Sequence, residues 1–515
     1  MKSEYMKEKV LDGIYAESTG EYTLPDYNGD VRRVISVYPM LMHSDGFADE
    51  SGITFSGEVN YSIVYLDSEN KLAHSEFSTD YEYKVKCNMD TYVDSLAEEI
   101  ISNYNVRLVG PRKFSAKCAI SALVHVSERG ECEVEGDLLT SREPEKLSET
   151  VRVGKIIKDK TDEREYAQRI EHIDGVMADE CEILTSSIAV KNESVVVNNS
   201  CGIHRGVISV TCLVSCKDEV PHRASLEIPF ENTFFEDEGI GTVGDASALL
   251  SVTSFRCSVV PDEEGVDIVA SVIAEGEMAI VSNTGVEIIK DAYSTESGCE
   301  NVYGDFRYRE YLGLCEERMP VSGKITAAEV GCEEIRNVLF SDARARITDK
   351  EIEGERLKIK GEVRFSGIAC QINEEGAPSY VGIKAEIPFE KNVNNTLHLT
   401  SSDKINVSVL AEDCAIDVDK THVMPECNVS IRIEAYRENM ADCLLSSYLT
   451  DEKYAREEGT VTVYYPDYGE TLFDIAKKYH ISRVSLASVN SITESVFNDT
   501  SSSVRSMGIG KLIIR

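Results

Sequence analysis

The chain holds 515 residues, too many for a single hydrophobic core, and its 42% hydrophobic and 28% charged residues are the composition of a folded, multidomain protein. With 53 basic and 91 acidic residues it carries a net charge of −38 spread along its length, a field that repels phosphates and disfavours nucleic acid and anionic lipid as partners. No run reaches the roughly 18 apolar residues a spanning helix needs, so the expectation is a soluble chain without membrane insertion.

The opening stretch, Met1 to Glu17, places charges every few residues and has no apolar segment of the secretory kind, so no export is expected. Fifteen cysteines run from Cys87 to Cys443 without a Cys-x-x-Cys pair. In a reducing compartment most are expected to be small buried side chains rather than disulfides or ligands.

The first strong pattern is an alternation in which Ile53, Phe55, Gly57, Val59, Tyr61, Ile63 and Tyr65 take every second position, the period of a strand with one buried face. It returns as Gly202, His204, Gly206, Ile208, Val210, Cys212 and Val214, and again as Leu357, Ile359, Gly361, Val363, Phe365, Gly367 and Ala369. Gly57, Gly206 and Gly361 keep the same place in each copy, and a glycine inside a strand marks a bend, a bulge or a close approach of backbone.

The flanks repeat as well. Asp30-Val31-Arg32-Arg33-Val34-Ile35 parallels Glu334-Ile335-Arg336-Asn337-Val338-Leu339. Glu227-Ile228-Pro229-Phe230-Glu231 recurs as Glu386-Ile387-Pro388-Phe389-Glu390, with Glu76-Phe77-Ser78-Thr79-Asp80 as the weaker counterpart in the first copy. Asp291-Ala292-Tyr293-Ser294-Thr295 resembles Ser446-Ser447-Tyr448-Leu449-Thr450, each closing its copy. These markers predict three tandem β-sandwich-like modules, 1–150, 151–296 and 297–452, in a mainly β protein.

From residue 453 to 515 the apolar period changes from two to 3.6. Val461 to Tyr465 reads as a strand, and Thr471 with Asp474 forms a capping box that starts a helix carrying Leu472, Ile475, Ala476 and Tyr479 on one face. Ser482 caps a second helix, Asn490 suits a left-handed exit, and Lys511 to Arg515 supplies a closing strand. The result is a small β-α-α-β domain.

Two other motifs lead nowhere. Gly239-Ile240-Gly241-Thr242-Val243-Gly244 fits the dinucleotide spacing, but the acidic Phe235-Glu236-Asp237-Glu238 stands where a buried strand is required, so a solvent loop is expected. Cys201, His204, Cys212 and Cys216 have zinc-ligand chemistry, yet His204 replaces Phe55 and Ile359 of the sister copies, so a core histidine is expected and no metal. No nucleophile elbow, P-loop or zincin sequence occurs, and neither an enzyme nor a cofactor is predicted.

The lead-in Tyr22-Thr23-Leu24-Pro25-Asp26-Tyr27, the run Val31-Arg32-Arg33-Val34 and the turn Gly110-Pro111-Arg112-Lys113 resemble tandem spore-coat-assembly (SPOCS) domains of endospore-forming bacteria. Only the first copy has the Pro-Arg-Lys turn. The C-terminal segment resembles a LysM domain, a fold best known for holding N-acetylglucosamine polymers. That resemblance implies a groove between Gly469, Glu470, Thr471 and Leu472 on one side and Asn490, Ser491 and Ile492 on the other. SPOCS repeats ending in LysM are similar to a family of spore-coat morphogenetic proteins. The similarity implies a non-enzymatic scaffold in the mother-cell cytoplasm at the forespore surface, docking the coat's basement-layer morphogenetic ATPase. Peptidoglycan binding, with the β modules as spacer, is the alternative.

Overall fold

The computed structural model describes every residue except 1, 27, 43–45, 141–143, 199–200, 217–219, 236–243, 332–333, 373–377, 455–459, 494–496 and 498–502. The dinucleotide-like run therefore lies outside the described residues up to Val243. The described chain is mainly β, in several separate antiparallel sheets.

Seven strands form a first pair of sheets: β1 (Lys2–Thr23), β2 (Val31–Met42), β3 (Gly46–Asp49), β4 (Gly52–Asp67), β5 (Leu72–Val85), β6 (Tyr92–Gly110) and β7 (Lys113–Glu133). In one sheet β4 runs between β5 and the broken edge β2 plus β3; in the other β7 runs between β1 and β6. The next seven are β8 (Pro144–Lys160), β9 (Arg164–Asp174), β10 (Cys181–Val197), β11 (Gly202–Cys216), β12 (His222–Phe234), β13 (Asp245–Pro261) and β14 (Gly265–Ser294). Here β11 is central between β10 and β12, and β14 between β13 and the broken edge β8 plus β9. The same order follows in β15 (Ser297–Ser322), β16 (Ile325–Thr326), β17 (Asn337–Glu353), β18 (Arg356–Ile372), β19 (Pro378–Asn394), β20 (Lys404–Asp419) and β21 (His422–Lys453). There β18 lies between β17 and β19, and β21 between β20 and β15 plus β16.

All three alternating runs read from the sequence are thus the central strands β4, β11 and β18. Their alternate side chains are buried, Ile53, Ile63, Ile208, Val210, Ile359 and Phe365 at 0% exposure, which strands flanked on both edges and covered on one face require. The cover is the partner sheet. Tyr61 and Ile63 of β4 share a core with Phe114, Ile120 and Val124 of β7. Ile208 and Val210 of β11 share one with Ala270 and Val272 of β14, and Val363 and Phe365 of β18 with Val429 and Ile431 of β21. Each fully buried side chain of this size contributes about 1.5–3 kcal/mol.

The recurring glycine has one cause in all three places. Gly57 is directly opposite Tyr81, Gly206 opposite Phe230 and Gly361 opposite Phe389, and the far end of each aromatic ring fills the space a Cβ would take. A Cβ on Gly361 would stand 2.3 Å from the Phe389 ring and 2.5 Å from the Arg346 carbonyl oxygen. This register corrects the sequence alignment of the first copy. The counterpart of Glu227 to Glu231 is Ser78 to Glu82, with Tyr81 in the place of Phe230, rather than Glu76 to Asp80. Pro229 and Pro388 are tolerated because β12 and β19 are edge strands.

A second shared device joins the three sheet pairs to one another. The ladder slips by one residue between Val34 and Ser36, between Ile183 and Thr185, and between Val338 and Phe340, so Ile35, Leu184 and Leu339 are the extra residues of three equivalent β-bulges. All three are buried in a single cluster together with Val64, Leu213 and Ile368, which hold equivalent places on β4, β11 and β18. The sequence reading found no second-copy partner for Asp30 to Ile35; it is Asp179 to Leu184.

Around this junction the edges meet head to tail. His74 of β5 pairs with Glu182 of β10 at 2.8 Å, β12 touches β17, and Arg33 of β2 donates to the Tyr380 carbonyl of β19 at 2.7 Å. The contact between the third pair and the first closes a ring, as heterologous interfaces do when their rotation closes. On the other sheets Val10, Ile156, Val281, Tyr311 and Tyr436 form a second shared cluster. A cavity of about 830 Å³ opens where the three pairs face one another, lined by Glu98, Glu193, Glu316 and Glu412 with Arg318 and Arg432 among others.

Most described cysteines are free, as expected, with one pair as the exception. Cys181 and Cys216 stand directly opposite each other on β10 and β11, with Cα atoms 4.2 Å apart, and are joined in a disulfide. The zinc-like set does not converge: Cys216 is taken by Cys181, and His204 and Cys212 are eight residues apart on one strand, about 26 Å at the usual rise. His204 is fully buried, its Nε2 facing Asn192 Oδ1 at 2.8 Å and its ring edge-on to Phe230.

Two expected outcomes follow. Gly382 approaches the ring seam so closely that a Cβ would lie 2.0 Å from the Ile35 carbonyl oxygen, so Gly382→Ala should lower stability by about 1–3 kcal/mol in urea unfolding. Hydrogen exchange should rise first in β2 and β19. Burial pushes the His204 imidazole down to about 4, so the unfolded chain binds an extra proton between pH 6.5 and 4, and stability falls as pH drops through that window by roughly 3 kcal/mol. His204→Phe, the residue type of the sister Phe55, should flatten that part of the pH profile.

Candidate functional site

Beyond the sheets the chain forms β22 (Thr462–Tyr464), α1 (Leu472–Lys478), α2 (Arg483–Val489) and β23 (Leu512–Ile514), with β22 and β23 antiparallel. The local chemistry is that read from the sequence. Thr471 Oγ1 accepts from the Asp474 amide at 3.2 Å while the Asp474 carboxylate accepts from the Thr471 amide at 2.9 Å, so both groups at the helix start are answered. Ser482 Oγ accepts from the Ser485 amide at 3.2 Å and starts α2. Leu472, Phe473, Ile475, Ala476, Leu486, Leu512 and Ile514 make the small core.

The residues expected to form a groove have separate duties. Gly469 has φ +95 with no atom within 4 Å of a Cβ, so the turn's backbone geometry alone calls for glycine. Glu470 accepts from the Tyr464 hydroxyl at 2.8 Å and from the Asp467 amide at 2.8 Å, with Lys478 at 3.7 Å. Burial opposes its charge, but the Asp467 amide, the Tyr464 hydroxyl and the Lys478 ammonium outweigh it and hold the carboxyl below its usual range. Leu472 is core.

Across the unit, the exit from α2 differs from expectation. Asn490 is not left-handed, with φ −100; the left-handed residue is Ser491, at φ +53. Asn490 is held by its side chain, which donates to the Ile513 carbonyl at 2.7 Å and accepts from the Ile513 amide at 2.6 Å. Ile492 packs on the small core, its amide bonded to the Ala487 carbonyl at 3.0 Å. The segment Ser503 to Gly508 returns against the first loop, where the Val504 amide meets the Glu470 carbonyl at 2.9 Å and Arg505 lies 4.3 Å over the Tyr468 ring. Tyr465 and Tyr468 stay 69% and 86% exposed beside Gly469.

Sequence reasoning missed what pins this unit to the sheets. Tyr293 at the end of β14 is buried, edge-on to Phe473 with centroids 5.2 Å apart, and its hydroxyl donates to the Ile481 carbonyl at 2.7 Å. Burial pushes that hydroxyl well up. Lys477 meets Asp291 at 2.6 Å, and Arg483 meets Glu145 at 3.3 Å and the Lys146 carbonyl at 3.2 Å. The signal was present: Asp291 and Tyr293 belong to the marker that closes the second copy. Its third-copy equivalent, Tyr448, is 48% exposed and has serine where Asp291 stands.

The Pro-Arg-Lys turn is likewise fastened. The Leu24 amide meets the Arg112 carbonyl and the Val31 amide the Pro111 carbonyl, both at 2.8 Å, while Arg112 pairs with Asp26 at 3.1 Å. Lead-in and turn, far apart in sequence, hold each other. Among the described residues one group of potential metal ligands converges, His172 with Asp262 and Asp267, but Asp267 already pairs with Arg169 at 3.4 Å.

No protein-family model, curated protein or solved structure matches the chain.

Tyr293 should carry most of the attachment. Tyr293→Ala should free residues 461–515 to limited proteolysis at native pH, with the loss of about 3–5 kcal/mol typical of a buried aromatic. Tyr293→Phe, which removes only the hydroxyl, should cost roughly 1 kcal/mol and leave the unit attached.

Proposed function

We propose that the chain is a non-enzymatic scaffold of spore-coat assembly, in which three SPOCS-like β-sandwich modules carry a LysM-like domain that docks the basement-layer morphogenetic ATPase. The observation that supports the modular part is the threefold recurrence of one strand order, one glycine–aromatic crossing and one bulge. Strand β8, which opens the second set, begins at Pro144, while the change from β14 to β15 falls at residue 296. The docking part is supported by the way the C-terminal unit sits. One side is locked by Tyr293, Asp291 and Glu145, and Tyr465 and Tyr468 are left outward. The modules then act as a rigid ring that presents the unit, instead of as beads on a flexible tether.

The alternative, peptidoglycan binding, draws on the same exposed Tyr465 and Tyr468, since aromatic faces stack on pyranose rings. The two readings separate in one pair of experiments. A chain ending at Tyr454 should lose capture of the purified basement-layer ATPase at least tenfold while keeping its sheet circular dichroism; undiminished capture defeats the scaffold reading. Saturable retention of the full chain on purified cortex peptidoglycan, lost in Tyr468→Ala, would favour the alternative.

A further inference from the structure

The two-stranded sheet of the C-terminal unit is finished on one edge and unfinished on the other. On β23 the outward amide and carbonyl of Ile513 are both taken by the Asn490 side chain, at 2.6 and 2.7 Å. Residues directly opposite in an antiparallel pair exchange either both hydrogen bonds or neither. Ile513 is opposite Val463, so this is a pair that exchanges neither, and the amide and carbonyl of Val463 point away from β23 at the far edge. No group among the described residues meets them there.

The face beside that edge is also uncovered. Tyr464 turns inward onto Tyr479, while Val461, Val463 and Tyr465 point out at 53%, 53% and 69% exposure, with Ile513 beside them at 39%. Just outside the two ends of β23, in the same alternation as Ile513, stand Lys511 and Arg515, both exposed and without a carboxylate partner among the described residues. An apolar stripe is therefore bracketed by two cations. The setting is unusual for this protein: residues 461–515 hold six basic and five acidic residues within a chain of net charge −38.

We infer that the outer edge of β22 is a strand-addition site for an extended segment of a protein partner that alternates apolar side chains and carries carboxylates at its ends. The open Val463 groups supply the main-chain bonds, the stripe receives the alternate side chains, and Lys511 and Arg515 select the charge. A second copy of this chain is disfavoured, because two bodies of charge −38 repel one another. The inference concerns the unit invoked under the proposed function but does not rest on that reading, since it needs neither ATPase nor glycan.

The test uses the full chain and short fluorescent peptides: Glu-Thr-Val-Thr-Val-Thr-Val-Thr-Glu, whose glutamates and valines share one strand face, the same core with lysine ends, and the glutamate peptide with its central valine replaced by proline. Fluorescence anisotropy should show saturable binding of the first, at least tenfold weaker binding of the lysine form and none of the proline form. Val463→Lys should abolish binding, and Lys511→Glu with Arg515→Glu should invert the charge preference; these surface changes leave the small core intact. Absence of saturable binding, equal binding of all three peptides, or binding unaffected by Val463→Lys would overturn the inference. So would sedimentation showing that the chain dimerises through Val463, because the edge would then belong to a second copy.

Discussion

The bulge that extrudes one apolar residue from each of β2, β10 and β17 is the constraint on which the molecule depends. A regular antiparallel ladder would turn Ile35, Leu184 and Leu339 by strict alternation to the face opposite their neighbours. The inserted residue breaks that alternation and sends each side chain to the place where the three sheet pairs meet. Without it each pair would still have its own core, but the surfaces that join them would be polar and apolar in the wrong order. The ring seam adds its own restriction, since Gly382 has no room for a side chain against the Ile35 carbonyl.

The glycine crossings serve a different end. Gly57, Gly206 and Gly361 give up side-chain packing in the middle of a central strand, which by itself weakens the strand. The aromatic ring opposite fills the gap, covering backbone that would otherwise be bare within the sandwich. Pairing the two residues keeps register, because a slip of one position sets a ring against a residue with a Cβ in its way. Where the repeat has drifted, the interior records it: the second copy puts His204 opposite Asn232, whereas the first stacks Phe55 on Tyr83 at 5.2 Å. The second pair accordingly holds a buried imidazole whose charging at low pH works against folding.

These features bear on function through rigidity. A closed ring of three sheet pairs, with shared clusters on both sets of sheets, fixes the position of anything fastened to it. The C-terminal unit is fastened at the end of β14 by an aromatic pair and two ion pairs, so its open strand edge and exposed tyrosines are presented in a set direction. For the proposed docking, a preoriented surface loses less freedom when a partner binds.

Much of this was legible from the sequence because it is local or periodic. Alternation placed the three central strands, since a half-buried strand must alternate, and capping chemistry placed the starts of both helices at Thr471 and Ser482. The constant glycine was visible too, though its reason was not, because the ring that crosses it comes from the neighbouring strand. What only the tertiary structure decided concerns contacts between residues distant in the chain. The first-copy register at Tyr81, the Cys181–Cys216 bond, the meeting of Ile35 with Leu184 and Leu339, and the use of Asn490 to seal β23 all belong here. A side chain's own sequence states what it prefers to bury or bond; which distant partner satisfies that preference is set by how the sheets close on one another.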